Sequence, residues 1–379
     1  MTKTNSLRFI FLFLVLLPSC HVVKSVFYLR PDHKDVKKFP KNEVPGSTTP
    51  SQWAYHEKQL DLDAIQVTFT DGHQESLTSL LENKVTNAFI IIKDNKILAE
   101  NYYKSYTPEK THGSFSVSKG MLSSMLGIAI HEGLIGNLED PITKYLPELL
   151  KNDPDFEKIS LHNLLDMSSG IKIRGKDANL FGDLAKTYYG NNWSRFMSTI
   201  ALDTLPGMGH IYNQTDAQLL SLIISRVTGK TLSEYFSEKI WSKISTQSAF
   251  WSIYGKDNLE KGFCCFNARP QDYAKFAQLY LQKGNWNGEQ LIPEAWIDFV
   301  TKFERPVKSQ SVFNFHKFWF PANDAAGDYT AQGYNGQFIY INPALNLAIL
   351  RFAKKEEFEY IYWEQVLRDV ATYIQNKDL

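Results

Sequence analysis

The chain has no net charge and no long basic run. It contains 41 basic and 41 acidic residues among 379, so its formal net charge is zero. A balanced chain lacks the electrostatic footprint that draws a protein to nucleic acid. The composition therefore predicts that nucleic acid is not a partner.

Cysteine is scarce, with only Cys20, Cys264 and Cys265 present. Adjacent cysteines rarely pair with each other because the geometry is strained. We therefore expect Cys264 and Cys265 to be buried as small hydrophobic residues. No Cys or His spacing is typical of a zinc site, so the sequence predicts neither a metal nor another cofactor.

The N-terminus has the order of charges and apolar residues typical of a secretory signal. Lys3 and Arg8 precede an apolar run over residues 9–17, and Pro18, Ser19 and Cys20 follow. The run is shorter than the ~20 residues that a transmembrane helix needs. We expect a signal peptide over residues 1–19.

Leu17-Pro18-Ser19-Cys20 resembles a bacterial lipobox, which implies that Cys20 is acylated and becomes the mature N-terminus. The resemblance predicts a lipoprotein of the bacterial cell envelope, held by a lipid anchor in the outer membrane or facing the periplasm. The alternatives are an ordinary secretory signal with an incidental cysteine, or a short membrane anchor.

Residues 20–55 are rich in charge and proline and show no sustained hydrophobic periodicity. Such a composition is typical of a linker that holds a domain away from a surface. The sequence predicts a lipid-anchored tether over 20–55 and a folded domain over 56–379.

Strand patterns occur at both ends of that domain and helical patterns between them. Residues 88–93 and 96–103 flank the turn Asp94-Asn95, which predicts a β-hairpin. Residues 117–131 predict a long, mostly buried helix, and about 138–245 predicts a helical, loop-rich lobe. Strands are expected over 315–320, 329–331, 337–341 and 347–352, and a final helix over 356–375. The predicted class is α/β (α+β), with one antiparallel sheet built from both termini.

Ser116 and Lys119 form a Ser-x-x-Lys pair at the start of the long helix. Residues three apart share a helix face, so the amine can reach the hydroxyl. A serine becomes a strong nucleophile when a neighbouring base takes its proton, and lysine can be that base when burial lowers its pKa. The alternative is an N-cap serine beside a surface lysine. A second such pair, Ser169 and Lys172, contains Gly170 and is interpreted as a turn.

Several further stretches, in order, resemble the serine β-lactamase and penicillin-binding-protein superfamily. The resemblance covers roughly residues 77–375 and is strongest to the class C β-lactamase-like branch, which includes esterases and 6-aminohexanoate-dimer hydrolases. It rests on these stretches: Ala88-Phe89-Ile90-Ile91-Ile92-Lys93-Asp94, Ser114-Phe115-Ser116-Val117-Ser118-Lys119, Asp140-Pro141, Ser160 to Gly170, Pro206-Gly207 through Tyr212, and Gly262 to Ala274.

The resemblance implies further site residues. Tyr212 takes the position of the family's catalytic tyrosine, in Tyr212-Asn213-Gln214, where Gln214 replaces the usual Asn or Ser. A core tyrosine is the alternative. Gly333-Tyr334-Asn335-Gly336-Gln337 corresponds to the third motif without its usual Lys or His. Backbone N–H groups of Ser116 and Gln337 would form the oxyanion hole. Gly336 would allow close approach of substrate, which Asn335 and Gln214 would also bind.

Together these features predict a serine hydrolase that cleaves an ester or amide of a small molecule or short peptide through an acyl-enzyme. The missing third-motif cation weakens penicillin hydrolysis and D,D-peptidase activity as expectations, although both remain alternatives. Another alternative is an inactive envelope lipoprotein that uses the fold for binding. Residues 172–193, with Phe181, Tyr188 and Tyr189, would form a substrate-selecting lid or an ordinary packed loop.

Overall fold

The computed structural model describes residues 21, 24, 31–69, 71–175, 179, 181–302, 313–322, 324, 326–354 and 360–377. The predicted signal peptide and Cys20 lie outside these residues. Within them, no helix combines the length and the apolar character needed to span a bilayer.

Short and long strands make up two main sheets and two small hairpins. In chain order, the strands are β1 (Lys41–Val44), β2 (Gln66–Thr68), β3 (Gln74–Ser76), β4 (Thr86–Lys93), β5 (Lys96–Tyr102), β6 (His112–Gly113), β7 (Ala249–Tyr254), β8 (Leu259–Glu260), β9 (Phe266–Ala268), β10 (Asn285–Trp286), β11 (Glu289–Gln290), β12 (Phe320–Pro321), β13 (Tyr329–Gly333), β14 (Gln337–Asn342) and β15 (Leu347–Ala353).

The α-helices lie mainly in the middle of the chain and at its end. They are α1 (Leu77–Asn83), α2 (Ser118–His131), α3 (Leu161–Leu165), α4 (Asp183–Tyr189), α5 (Trp193–Met197), α6 (Gln214–Thr228), α7 (Leu232–Phe236), α8 (Pro270–Leu281), α9 (Glu294–Thr301) and α10 (Tyr360–Asn376). Between residues 138 and 245, the regular elements that the structure describes are all helical, including short 3₁₀ turns.

The central sheet has six antiparallel strands in the order β12-β13-β14-β15-β4-β5. Its first and last strands in sequence meet at the β15–β4 pair, so both ends of the domain build one sheet, as predicted. The apolar run of β4 is buried along nearly its whole length. Since successive side chains of a strand point to opposite faces of the sheet, this run contributes to the core on both faces. Phe89 and Ile91 face α1 and α10, whereas Ile90 and Ile92 belong to the core that contains α2 and α8.

Most predicted elements are confirmed, with shifted ends. The hairpin of β4 and β5 turns at Asp94 and Asn95, which both have positive φ. The described part of the last helix is Tyr360–Asn376, and residues 356–359 of the predicted helix lie outside the described residues. The strand predicted over 315–320 is reduced to Phe320 and Pro321, because the preceding described residues form a turn closed by a bridge between His316 and Trp319.

The second sheet corrects the prediction of a free tether. Its order is β1-β7-β9-β6, with β8 also on β7. Strand β1 lies inside the predicted tether, yet it pairs antiparallel with β7 from Lys41–Ser252 to Val44–Ala249. Val44 and Phe39 are buried in the main core. Strand β1 was not predicted from the sequence because it has only four residues between two prolines, which is too short to show a hydrophobic periodicity. The part of the tether described from Pro31 onward is therefore part of the domain.

Candidate active site

Ser116 lies in the short connection between the second sheet and the long helix α2. Strand β6 pairs with β9 and leads into a 3₁₀ turn, Phe115–Val117, that continues directly as α2. Phe115 has a positive φ of 45°, a conformation that a bulky residue adopts only when its surroundings enforce it. Ser116 remains half-buried between two buried neighbours. Its hydroxyl is thus accessible and lies at a helix N-terminus, where negative charge is stabilised.

Lys119 is buried directly beside this hydroxyl. Its Nζ donates to Ser116 Oγ at 2.9 Å and to the carbonyl oxygen of Phe263 at 2.9 Å. Only 1% of the residue is exposed. Removal of the amine from water lowers the pKa of Lys119 to about 7. A substantial neutral fraction therefore exists near neutral pH, which is the state that can accept the proton of Ser116.

Tyr212 contacts the same two residues from the helical lobe. Its ring centroid is 4.9 Å from Lys119 Nζ. The residue as a whole is 41% exposed. Protein atoms around its hydroxyl nevertheless raise the pKa of Tyr212 to about 12 by desolvation, and the nearby Ser116 side chain acts in the opposite direction. Tyr212 is therefore protonated at neutral pH and can donate that proton.

The loop over residues 167–171 holds the backbone on both sides of Tyr212. Ile211 N–H donates to the carbonyl of Met167 at 3.0 Å. The Asn213 side chain donates to the carbonyl of Ile171 at 3.1 Å and, through its oxygen, caps α6 by accepting from Thr215 N–H. The turn interpretation of Ser169–Lys172 is confirmed, since Gly170 within it has a φ of 75°.

Gly333, at the end of β13, approaches the nucleophile more closely than any side chain would allow. A Cβ added there would lie 2.4 Å from Ser114 O and 3.2 Å from Ser116 N. The sequence placed Gly333 in the third-motif stretch but did not mark it as a site residue, and the close approach was predicted at Gly336 instead. A glycine ending a strand just before the third-motif turn was the available signal. Because Gly333 pairs with Gln337, the start of β14 lies beside it.

The side chain of Gln337 supports the turn between β13 and β14. Its Nε2 donates to the carbonyls of Asn335 and Ala353 at 3.0 and 2.8 Å, and its Oε1 accepts from Ala353 N–H. Only 1% of the residue is exposed. The side chain of Gln337 is therefore occupied by contacts within the protein, and the oxyanion role of its backbone N–H stays a prediction.

Three other residues predicted to bind substrate contact the protein itself. The Asn335 amide donates to the carbonyl of Pro31 at 3.3 Å. Gly336 has a φ of 76°, and a Cβ there would lie 2.3 Å from Nη1 of Arg351, which donates to the Gly336 carbonyl. Gln214 is buried with its amide 3.5 Å from the Thr187 hydroxyl. In each case, a neighbour distant in sequence supplies the partner, which local pattern does not reveal.

The N-terminal segment forms one border of the site. The Asp35 carboxylate is buried and accepts from the Tyr188 hydroxyl at 2.8 Å. A cavity of ≈ 20 Å³, room for about one water, lies between this segment and Phe115, the neighbour of the nucleophile. In the predicted lid, Phe181 is 67% exposed, whereas Tyr188 and Tyr189 are buried. The two tyrosines thus act as packed structure.

Cys264 and Cys265, which follow the carbonyl partner of Lys119, are joined by a disulfide bond. Both are buried, as predicted, but the expectation that they stay unpaired is wrong. Cys265 has a positive φ of 73°. Across the described residues, no group of three or more His, Cys, Asp or Glu side chains could hold a metal ion.

These features define a β-lactamase/transpeptidase-like fold with a Ser-Lys-Tyr cluster at the junction of sheet and helical lobe. The profile of the β-lactamase family matches residues 80–372, and the chain belongs to that family.

Known proteins are similar over most of the chain. A 6-aminohexanoate-dimer hydrolase of Paenarthrobacter ureafaciens is 24% identical over 335 residues, covering 81% of each chain. A Bacillus anthracis structure of proposed 6-aminohexanoate-dimer hydrolase activity has a TM-score of 0.77 at 23% identity, covering 89% of this chain and 92% of the other. A class C β-lactamase of Rhodobacter sphaeroides has a TM-score of 0.58 at 12% identity, covering 79% and 97%.

Proposed function

We propose that the protein is a serine hydrolase that cleaves an ester or amide bond through an acyl-enzyme on Ser116. The observation that carries the proposal is the 2.9 Å contact between Lys119 Nζ and Ser116 Oγ, made by an amine whose pKa burial lowers to about 7. An exposed ammonium could not take the hydroxyl proton near neutral pH.

In the first step, Ser116 Oγ attacks the substrate carbonyl carbon and its proton passes to Lys119. The tetrahedral oxyanion is stabilised by the backbone N–H groups of Ser116 and Gln337. The bond to the leaving group then breaks while Tyr212 O–H gives it a proton, and the Lys119 ammonium restores the proton of Tyr212. Water then hydrolyses the acyl-enzyme by the same steps, in which water is the attacking group and Ser116 Oγ is the leaving group.

The substrate class we propose is a small-molecule or short-peptide ester or amide. Two observations support it. Similarity to a 6-aminohexanoate-dimer hydrolase favours a short linear amide. The third-motif turn holds Tyr334, Asn335 and Gly336 instead of a Lys or His, which removes the usual cation for a substrate carboxylate and disfavours penicillin and D,D-peptides.

We also propose that the enzyme is held at the bacterial cell envelope by a lipid on Cys20. The lipobox-like stretch before Cys20 supports this location. Metabolic labelling with a fatty-acid analogue in a bacterial host, with Cys20→Ser as control, tests it. Label on the wild-type chain and none on the variant is the expected result. Equal labelling, or none on either, would contradict it.

Turnover of 4-nitrophenyl esters and short amides tests the activity. We expect hydrolysis by the wild-type protein and background rates for Ser116→Ala and Lys119→Met, each checked for folding by circular dichroism. Folded wild-type protein with no turnover of any member of the panel would favour the alternative, a binding protein that keeps the fold. Rapid, stable labelling by penicillin would instead favour the D,D-peptidase alternative.

A further inference from the structure

Asp216 is a buried carboxyl group one helical turn beyond Tyr212. It lies in the first turn of α6 and is fully buried. Its Oδ1 accepts a hydrogen bond from the Ser169 hydroxyl at 2.8 Å. Within the described part of the chain, its Oδ2 has no hydrogen-bond partner. An ionised carboxylate in such a place would carry an uncompensated charge. Burial accordingly raises the pKa of Asp216 well above its ordinary value.

Ser169 stands at the centre of the loop that holds Tyr212. Its Oγ donates to Asp216 and accepts from Ile171 N–H at 3.1 Å. On either side of it, the carbonyls of Met167 and Ile171 accept the hydrogen bonds from Ile211 and Asn213. The two neighbours of Tyr212 are thus fastened to the two ends of a loop whose middle is fastened to Asp216.

The loop is also held by backbone hydrogen bonds to neighbouring segments, since Ser168 N–H donates to the carbonyl of Asn163 at 2.8 Å and Asp203 N–H donates to the carbonyl of Gly170 at 2.9 Å. Met167 and Gly170 both have positive φ, of 52° and 75°. A Cβ on Gly170 would lie 2.2 Å from the carbonyl of Thr204, so the loop is also packed tightly against the next segment. Its conformation depends on its hydrogen bonds, and the bond to Asp216 anchors it to the same helix that follows Tyr212.

We propose that Asp216 is a positioning residue for Tyr212, acting through Ser169 and the 167–171 loop, and that this positioning is required chiefly for substrates whose leaving group must be protonated. This inference rests on the proposed function, in which Tyr212 delivers that proton. An alkoxide or amide anion is a poor leaving group, so its departure depends on the hydroxyl position of Tyr212. A 4-nitrophenolate departs without a proton, so its departure does not depend on the hydroxyl position of Tyr212.

The test compares two ester substrates with the same acyl group, one with a 4-nitrophenyl and one with a simple alkyl leaving group. For Asp216→Ala, we expect the rate constant of acylation, measured in single-turnover experiments, to fall about 10- to 100-fold on the alkyl ester, at or below the lower end of the ~10²–10⁴-fold that general acid catalysis supplies. On the nitrophenyl ester, the rate constant of acylation should fall less than about 3-fold, well below that range. Asp216→Asn keeps an acceptor for Ser169 and should restore both rates.

Ser169→Ala is the second variant, since it removes the hydrogen bond without changing the buried carboxyl position. It should reproduce the selective loss of Asp216→Ala. Equal losses on both esters, no loss on either, or an Asp216→Asn variant as impaired as Asp216→Ala would overturn the inference. Failure of the proposed function is distinct from these results, because the wild-type protein itself would then hydrolyse neither ester.

Discussion

The amine of Lys119 and the hydroxyl of Ser116 are 2.9 Å apart, with the amine buried and the hydroxyl within reach of solvent. This arrangement separates two requirements of a nucleophile. The base must be away from water to be neutral, whereas the serine must remain open to substrate. The short step from the 3₁₀ turn into helix α2 satisfies both, because Ser116 in the turn is half-buried, whereas Lys119 in the first turn of α2 is buried in the core.

The pH dependence of kcat/KM should report Lys119. Its pKa is lowered to about 7, so the neutral, active form is lost as the pH falls below that value and gained as the pH rises through it. We expect kcat/KM on a 4-nitrophenyl ester to rise with a slope of one below pH 7 and to level off above it. A rise with its midpoint near the ordinary lysine value of ~10.4 would contradict the assignment.

Gly333→Ala should reduce activity strongly in a protein that still folds. The added methyl group would lie 2.4 Å from Ser114 O, so the chain bearing the nucleophile must shift. A displacement of ~1 Å at a reacting group costs on the order of 10²-fold in rate. Gly209→Ala is the matched control, because a Cβ there meets nothing within 4 Å. Equal kcat values for the two variants would show that the close approach at Gly333 is not needed.

Removal of the N-terminal segment should destabilise the domain. Strand β1 pairs along its whole length with β7, and Val44 is fully buried. We expect a chain without residues 1–44 to have a lower melting temperature than one without residues 1–20, measured by circular dichroism. Identical melting temperatures would restore the tether interpretation for residues 31–44.

The hydrogen bond between Asp35 and Tyr188 can be measured by a double-mutant cycle. Each single change, Asp35→Ala or Tyr188→Phe, should lower the free energy of unfolding, by about 1.5–3 kcal/mol for a bond to a charged group. Because both remove the same bond, the double variant should lose less than the sum, with a coupling energy of ~0.5–3 kcal/mol. Additive losses in urea unfolding would show that the contact contributes no stability.

Local sequence pattern predicted the elements that have strong local signals. The hairpin of β4 and β5 and the buried helix α2 follow from runs of apolar residues and from turn chemistry at Asp94 and Asn95. Helix periodicity also placed Lys119 on the face of Ser116. These features depend on residues close in sequence, so they can be predicted from the local sequence pattern.

The features that the sequence did not reveal depend on partners far along the chain. Asn335 contacts Pro31, Gly336 faces Arg351, and Gly333 lies against Ser116. Strand β1 pairs with β7, which lies about 200 residues later in the chain, and a four-residue pattern cannot predict that pairing. The role of Asp216 needed its burial and its contact with Ser169, neither of which a spacing motif shows.

The most direct test of an activated Ser116 is the intact mass of the protein after exposure to a fluorophosphonate. We expect one adduct on the wild-type chain and none on Ser116→Ala, with peptide mapping that assigns the label to Ser116. Lys119→Met should label far more slowly, because the hydroxyl then lacks its base. A wild-type protein that is folded yet unlabelled, or a Ser116→Ala variant labelled as fully as the wild type, would contradict the account.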